Sequence, residues 1–353
     1  MKPKSTGRLK KAPLRCAVLG MAHDHVWSFV KHIPETAQLV AAADPDPALR
    51  TRFGRQTGCQ QVYADNEELL DQVKPDAAAI FTATAHHADL VELCAARGIH
   101  TLVEKPMAAT LEQADRMLLA ARRAGTRLMI NWPTAWSSTI HTALRLVRAG
   151  RIGKVWQLTW RGGHAGPDEI GCSPQFQAFL FDKELNGAGA FNDYSGYGAG
   201  LCLLFLGGPP NSVVGMAGRL VKTHLPVDDN GILLLRYPQA ICRLEMTWTE
   251  AVSGRPAHDI VLYGTEGTLV LGAEVWLYTR RKPEGSCMPL DDLPRGERDP
   301  FEYFAHCVHK GVDPEGLCNP DLGRATQEIM EAGLRSAISG REIALPIEDH
   351  FFR

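Results

Sequence analysis

The sequence predicts an α/β chain in two parts: a doubly wound parallel sheet, then an α+β unit built on a large, mostly antiparallel sheet. Three observations predict it. From residue 15 to about 133, short apolar runs alternate with helical stretches, the pattern of parallel βαβ units with right-handed crossovers. Beyond Gly150 and Gly153, alternating strand-like segments follow one another with few helices between them, which reads as antiparallel sheet. The 353 residues are also enough for two domains of about 150 residues each.

The elements follow in order. Residues 16–19 form a first apolar run ending at Gly20, followed by a helical stretch over 24–32. A second run, 39–43, ends at Asp44, and Pro45 and Pro47 open the next helix, where a first-turn proline is acceptable. Runs at 77–81, 100–103 and 127–130 are separated by helices over 88–97 and 111–124. After a helix over 134–149 come strands at 155–160, 213–221, 232–236, 241–248, 260–263, 268–271 and 275–278. Helices over 196–206 and 302–310 interrupt this series, and a final helix over 322–339 ends at Gly340, a plausible left-handed C-cap. The domain reading is a disordered basic tail over 1–14, a dinucleotide-binding domain over 15–133, and a substrate and oligomerisation domain over 134–353. The final helix is expected to pack back on the first domain.

Composition narrows the function classes. Lysine and arginine number 38 against 40 acidic residues, a net charge of −2 that offers no footprint for nucleic acid or an anionic membrane. The basic stretch Lys2, Lys4, Arg8, Lys10, Lys11 and Arg15 has no apolar core or cleavage pattern, so it is not a secretory signal. No run approaches the ~18 apolar residues of a membrane span. The nine cysteines form no Cys-x-x-Cys, and several sit inside apolar runs, which fits free thiols in a reducing cytoplasm.

The first strand feeds Gly20-Met21-Ala22-His23-Asp24-His25. In a dinucleotide fingerprint the first glycine makes the tight turn, the second lets backbone approach the pyrophosphate, and the third permits close helix–strand packing. Only the first is kept here, and His25 stands third. Asp44, 24 residues beyond Gly20, is placed to accept the ribose hydroxyls of NAD and to repel a 2′-phosphate. A helix N-cap ahead of Pro45 is the other reading of Asp44. Together these features favour NAD, with NADP not excluded, and a Rossmann domain. Glu104-Lys105-Pro106 follows a buried strand, and so lies at the carboxyl edge where such sheets bind ligands. Next to a positive nicotinamide in a desolvated site, the Lys105 ammonium is disfavoured, so its pKa is expected to fall toward the range useful for proton transfer.

These residues resemble the glucose–fructose oxidoreductase / inositol dehydrogenase (Gfo/Idh/MocA) family, over about residues 14–347. In that family a Glu-Lys-Pro motif ends the fifth strand and its lysine is catalytic. Phe81-Thr82-Ala83-Thr84-Ala85-His86-His87 is similar to the family's cofactor loop, with Thr82 and His87 kept and a proline replaced by Ala83. The ending from Ala332 to Pro346 also resembles the family's. The resemblance implies a cofactor site of Gly20, Met21, Ala22, His23, Asp44, Thr82, His87, Glu104 and Lys105.

Gly187 to Tyr197 resembles the family's glycine-rich run and Asp-x-x-x-His at a helix start, with Asp193 kept and Tyr197 where most relatives have histidine. The i, i+4 spacing sets both on one helical face. The catalytic set implied is Lys105, Asp193 and Tyr197: Asp193 orients Lys105 or the substrate, and Lys105 lowers the pKa of the Tyr197 phenol. A core tyrosine is the alternative for Tyr197. Gly200 and Pro133-Thr134 also depart from the family pattern and reshape the substrate pocket. Arg161, His164 and His258 are further substrate-facing candidates. Of the histidine groups His23-Asp24-His25, His86-His87 and His306-Cys-Val-His309, none has an identifiable third ligand of the kind zinc requires, so no metal is expected.

The expected function is an NAD(P)-dependent oxidoreductase moving hydride between nicotinamide and a sugar, polyol or related hydroxy or carbonyl compound. The alternatives are a non-catalytic NAD-binding sensor or partner subunit, and an NAD-dependent glycosidase. The resemblance implies a homodimer or homotetramer that takes a small molecule, in the cytoplasm.

Overall fold

The computed structural model describes residues 12–294 and 296–347. The expected basic tail therefore falls outside the described residues as far as position 11. Leu14, its last residue, already opens the first strand and pairs with Ala37.

In chain order the first half contains β1 (Leu14–Leu19), α1 (His25–Phe29), β2 (Ala37–Ala43), α2 (Pro47–Thr57), β3 (Val62–Tyr63), α3 (Asn66–Val73), β4 (Ala77–Ile80), α4 (His87–Ala95), β5 (His100–Glu104), α5 (Leu111–Ala124) and β6 (Leu128–Asn131). All six strands are parallel, in the order β3-β2-β1-β4-β5-β6. The central strands β1 and β4 are buried on both faces, which is why they read as unbroken apolar runs rather than alternating ones. The order reverses between β1 and β4, and a crevice opens there at the carboxyl ends of the strands.

The second half contains α6 (Ser138–Arg148), β7 (Val155–Gly163), α7 (Pro174–Leu180), α8 (Lys183–Asn186), α9 (Ala190–Leu206), β8 (Ser212–Gly218), β9 (Asn230–Arg236), β10 (Ile241–Thr247), β11 (Ile260–Gly264), β12 (Gly267–Leu271), β13 (Val275–Thr279), β14 (Lys282–Met288), α10 (Pro300–Lys310), α11 (Pro320–Ser339) and β15 (Ile343–Ala344). Nine strands form one sheet in the order β14-β13-β12-β11-β7-β10-β9-β8-β15, antiparallel except where β7 meets β10. One face carries α9 and α11; strand residues alternate, so Leu158, Trp160, Leu233, Leu235, Cys242 and Leu244 point into that core.

Among the connections between the halves are those made by α11 and by the α7 segment. α11 lies against α5, with Arg324 Nε 2.8 Å from Asp115 Oδ1 and the Glu331 carboxylate accepting the Leu111 N–H at 2.6 Å. The α7 segment reaches over the first sheet's loops: Ser173 N–H donates to Asp24 Oδ2 at 2.7 Å, and Gln175 Nε2 to Asp46 Oδ2 at 3.1 Å. Among the described residues no helix is long and apolar enough to cross a membrane. The nine cysteines are free thiols.

Candidate active site

Every strand end at the crevice contributes a polar or small residue. Gly20, immediately after β1, has φ +78°, and a Cβ there would stand 2.3 Å from Thr82 Cγ2. Only glycine fits this turn, because both the conformation and the space exclude a side chain. The next amide, Met21 N–H, donates to Asp44 Oδ2 at 2.6 Å, and Asp46 N–H donates to Oδ1 at 2.8 Å. Asp44 thereby ties the β1 loop to the end of β2. Each carboxylate oxygen has a second lone pair, so the group retains acceptor capacity for a ribose diol. Burial pushes the Asp44 carboxyl up from its ordinary value, with the two amide donors opposing. The N-cap of α2 is Asp46, which accepts from Ala48 N–H, and this removes the capping explanation of Asp44.

His23 and Ala22 turn under α7. The His23 ring is 4.5 Å from the Phe176 ring and 5.9 Å from that of Phe179, and Ala22 packs on the same cluster. Burial keeps His23 neutral, its pKa well below the usual histidine value. Thr82 floors the Gly20 turn, as described. His87 is fully buried, its pKa lowered to about 4 by burial. Its Nδ1 donates to the Met107 carbonyl at 3.1 Å, so it braces the loop carrying Lys105 rather than offering an open surface.

Lys105 follows β5 and is 4% exposed. Its Nζ lies 2.6 Å from Asp193 Oδ1, in the first turn of α9, while Trp248 Nε1 donates to Asp193 Oδ2 at 3.2 Å. Burial opposes the ammonium, but the Asp193 carboxylate outweighs it, and Lys105 is held above the ordinary lysine value. The expected fall is thus corrected: the sequence shows the desolvating strand end, not the carboxylate that α9 brings from 88 residues away. Asp193 is held below its ordinary value by the same pairing, against its own burial.

Tyr197 also reaches Lys105, but by its ring. The ammonium stands 5.0 Å from the ring centroid, within cation–π range. The ring stacks on Trp160 at 6.2 Å and meets Trp132 edge-on at 5.1 Å. Burial raises the phenol pKa and the Lys105 ammonium only opposes it, so the expected net lowering is corrected as well. Tyr197 is a protonated donor at neutral pH.

The three substrate candidates separate. His164 lies at the site, its ring 5.4 Å from Tyr194 and stacked on Trp248 at 6.4 Å. Arg161 does not face it: Trp160 points toward α9, so its neighbour in β7 points to the opposite face. There Arg161 pairs with Glu245 at 3.5 Å and Glu250 at 3.4 Å, and His258 bonds the same Glu250. Alternation along β7 reveals this once the inward face is known.

Sequence reasoning missed the partners of Glu104. This carboxylate is fully buried; it accepts Asn131 Nδ2 at 2.6 Å and lies 3.0 Å from His25 Nδ1. His25 holds it below its ordinary value against burial. Trp248 was missed too, since nothing local marks an indole as a carboxylate's donor. Asn131 ends β6 at the same carboxyl edge as Lys105, a signal that was present.

The profile of an oxidoreductase family with an NAD-binding Rossmann fold matches residues 14–132. The profile of the GFO/IDH/MocA C-terminal domain matches residues 140–270. The chain belongs to the GFO/IDH/MocA oxidoreductase family. Among GFO/IDH/MocA relatives, it is 32% identical to the D-apiose dehydrogenase of Paraburkholderia graminis over 41% of this chain, spanning only 38% of that enzyme's length. It is 26% identical to the scyllo-inositol 2-dehydrogenase (NAD(+)) of Bacillus subtilis over 91% of this chain and 95% of that one. The fold matches the WlbA dehydrogenase of Bordetella pertussis, solved with NADH and UDP-GlcNAcA, with a TM-score of 0.80, 22% identity, and coverage of 95% of this chain and 100% of the other.

Proposed function

We propose that this GFO/IDH/MocA protein oxidises a secondary alcohol of a sugar, polyol or related cyclic diol, or reduces the matching carbonyl, with a preference for NAD over NADP. The observation that carries the reading is the buried Lys105–Asp193 pair, 2.6 Å apart, at the carboxyl edge of a Rossmann sheet. The Gly20 turn and the Asp44 carboxylate fit a dinucleotide: the turn leaves no side chain in its path, and the carboxylate suits a ribose diol while repelling a 2′-phosphate. When bound, the nicotinamide supplies or accepts the hydride.

The remaining chemistry belongs to the chain. In the reduction Lys105 gives the proton it holds at Nζ to the carbonyl oxygen as negative charge develops there, and in the oxidation the neutral amine takes the hydroxyl proton back. Tyr197 offers a second protonated donor beside it. Asp193 positions Lys105, and Trp248 in turn orients Asp193. His164 borders the same space and suits a substrate hydroxyl.

The test is titration with NAD(H) and NADP(H) by nicotinamide fluorescence, then turnover with sugars and polyols. NAD(H) binds preferentially and Asp44→Ala abolishes the preference. Lys105→Met retains cofactor binding and loses turnover. Failure of both nucleotides to bind at millimolar concentration, or unchanged turnover in Lys105→Met, defeats the reading.

The same proposal includes self-association and a cytoplasmic location. The sheet face opposite α9 exposes Met216 (67%), Ile241 (58%) and Leu234, an apolar surface of the kind that marks an interface, and the free thiols fit a reducing compartment. Light scattering on the eluted protein would give a dimer or tetramer mass; a monomer overturns the self-association.

A further inference from the structure

Dinucleotide binding does not account for a histidine at position 25 of the β1 loop. A fingerprint glycine at position 25 would only let the first helix close on the sheet. His25 instead sends Nδ1 to within 3.0 Å of Glu104 Oε2, and its ring centroid lies 4.4 Å from that of His23. One ligand-type atom from each of His23, His25 and Glu104 lies within 4.8 Å of the other two. Bonds of about 2.0–2.2 Å in a tetrahedral zinc site set ligand atoms about 3.3–3.6 Å apart, so small side-chain rotations bring these three onto one ion. We propose that His23, His25 and Glu104 form a site for a zinc-type divalent cation, with three protein ligands and an open fourth position.

The chemistry of the donors supports this. Two imidazoles and one carboxylate suit Zn²⁺, Co²⁺ or Ni²⁺ better than Mg²⁺ or Ca²⁺, which take oxygen sets. His23 Nδ1 accepts the His25 amide N–H at 3.3 Å; the nitrogen is therefore unprotonated, and ligation requires only that it release this long bond. The outer shell is built as well. Asn131 fixes the Glu104 carboxylate at 2.6 Å, and Trp136 Nε1 fixes Asn131 at 3.3 Å, the kind of second layer that orients metal ligands. Phe176 wedges the His23 ring from the other side. A cavity of about 290 Å³ bordered by His25, Glu104, Asn131 and Trp136 supplies the approach and room for a fourth ligand. The nearest ammonium, Lys105, is already neutralised by Asp193, so it does not bar a cation.

The site shares His23 and Glu104 with the residues that the family resemblance assigns to the dinucleotide, so its test is chosen to separate the two. The full-length protein, stripped with EDTA, is titrated with Co²⁺ by visible absorption and then challenged with Zn²⁺. One Co²⁺ per chain is expected, with the intense spectrum of a four-coordinate ion that Zn²⁺ bleaches. His25→Gly restores the fingerprint glycine and removes a ligand without loading the core, so it should fold and weaken Co²⁺ binding about tenfold or more. Glu104→Gln should do the same, and His306→Ala, on α10, should leave binding unchanged. Absence of stoichiometric Co²⁺ binding, or binding that His25→Gly leaves intact, overturns the site. NADH titration of the same preparation in EDTA reports on the dinucleotide reading alone.

Discussion

At the residue scale, the decisive pair is Lys105 and Asp193. Their charges are nine-tenths buried or more, and removing one partner of such a pair costs about 3–5 kcal/mol because the other is left uncompensated. Asp193→Asn should therefore destabilise the protein by that order at pH 7. The sign with pH follows from the shifts. In the native protein the Lys105 pKa is raised, so its contribution is fully present below the unfolded lysine value of ~10.4 and is lost as pH rises through the folded value. Asp193 is depressed, so its contribution is present above ~3.9 and is lost as pH falls through the folded value. In Asp193→Asn the lysine is desolvated without a counter-charge, its pKa drops, and the neutral amine becomes the stable form. The stability deficit should thus shrink between pH 7 and pH ~10 in urea unfolding. A deficit that stays constant or grows with pH would show that Asp193 does not hold the Lys105 charge.

At the element scale, what the sequence discloses depends on whether an element makes its own pattern. α5 reads correctly end to end because Thr110 caps it and Gly125 closes it in the left-handed conformation; α11 reads nearly as well, with Gly340 as its cap. β3 and β15 are two residues each, too short for any periodicity, and exist because a neighbouring strand offers its edge. β14, Lys282–Met288, contains Pro283 and Gly285 and lies at the sheet's edge, where such residues are tolerated but give no strand signal. α7 is hidden by the Gly- and Pro-rich residues before it. In the site, Gly20, Asp44 and Lys105 are legible because each ends a strand, while the Asp193–Trp248 and Glu104–Asn131 bonds depend on long-range closure. The anchoring of α7 is likewise tertiary, through the Asp24 carboxylate on Ser173 N–H. Losing a charge-assisted hydrogen bond costs about 1.5–3 kcal/mol. Asp24→Ala should therefore speed amide exchange across Pro174–Leu180 by about tenfold or more, with β1 and β4 unchanged. Equal protection in variant and native α7 would mean that its aromatic contacts alone hold it.

At the scale of the whole molecule, α11 touches both halves of the chain. On one side Arg324 pairs with Asp115 and Glu331 takes the first amide of α5; on the other, Gly215 N–H donates to Ser336 Oγ at 2.9 Å. Beside that bond the two backbones also approach closely, since a Cβ at Gly215 would stand 2.2 Å from the Gly333 carbonyl oxygen. Neither β8 nor a mid-helix carbonyl can shift alone, because each is hydrogen-bonded along its length. Gly215→Ala must then lift α11 from the sheet, an overpacking cost of about 1–3 kcal/mol. The displacement also loosens the α5 contacts at the other end of the helix. Calorimetry should show a single transition for the native protein, and for Gly215→Ala a melting temperature lowered by a few degrees with a broadened or divided transition. Gly208→Ala is the control: a Cβ there meets nothing within 4 Å, and its melting temperature should match the native value. A Gly215→Ala protein that melts like the control would place the coupling of the two domains elsewhere, in the α7 segment's grip on the Rossmann loops.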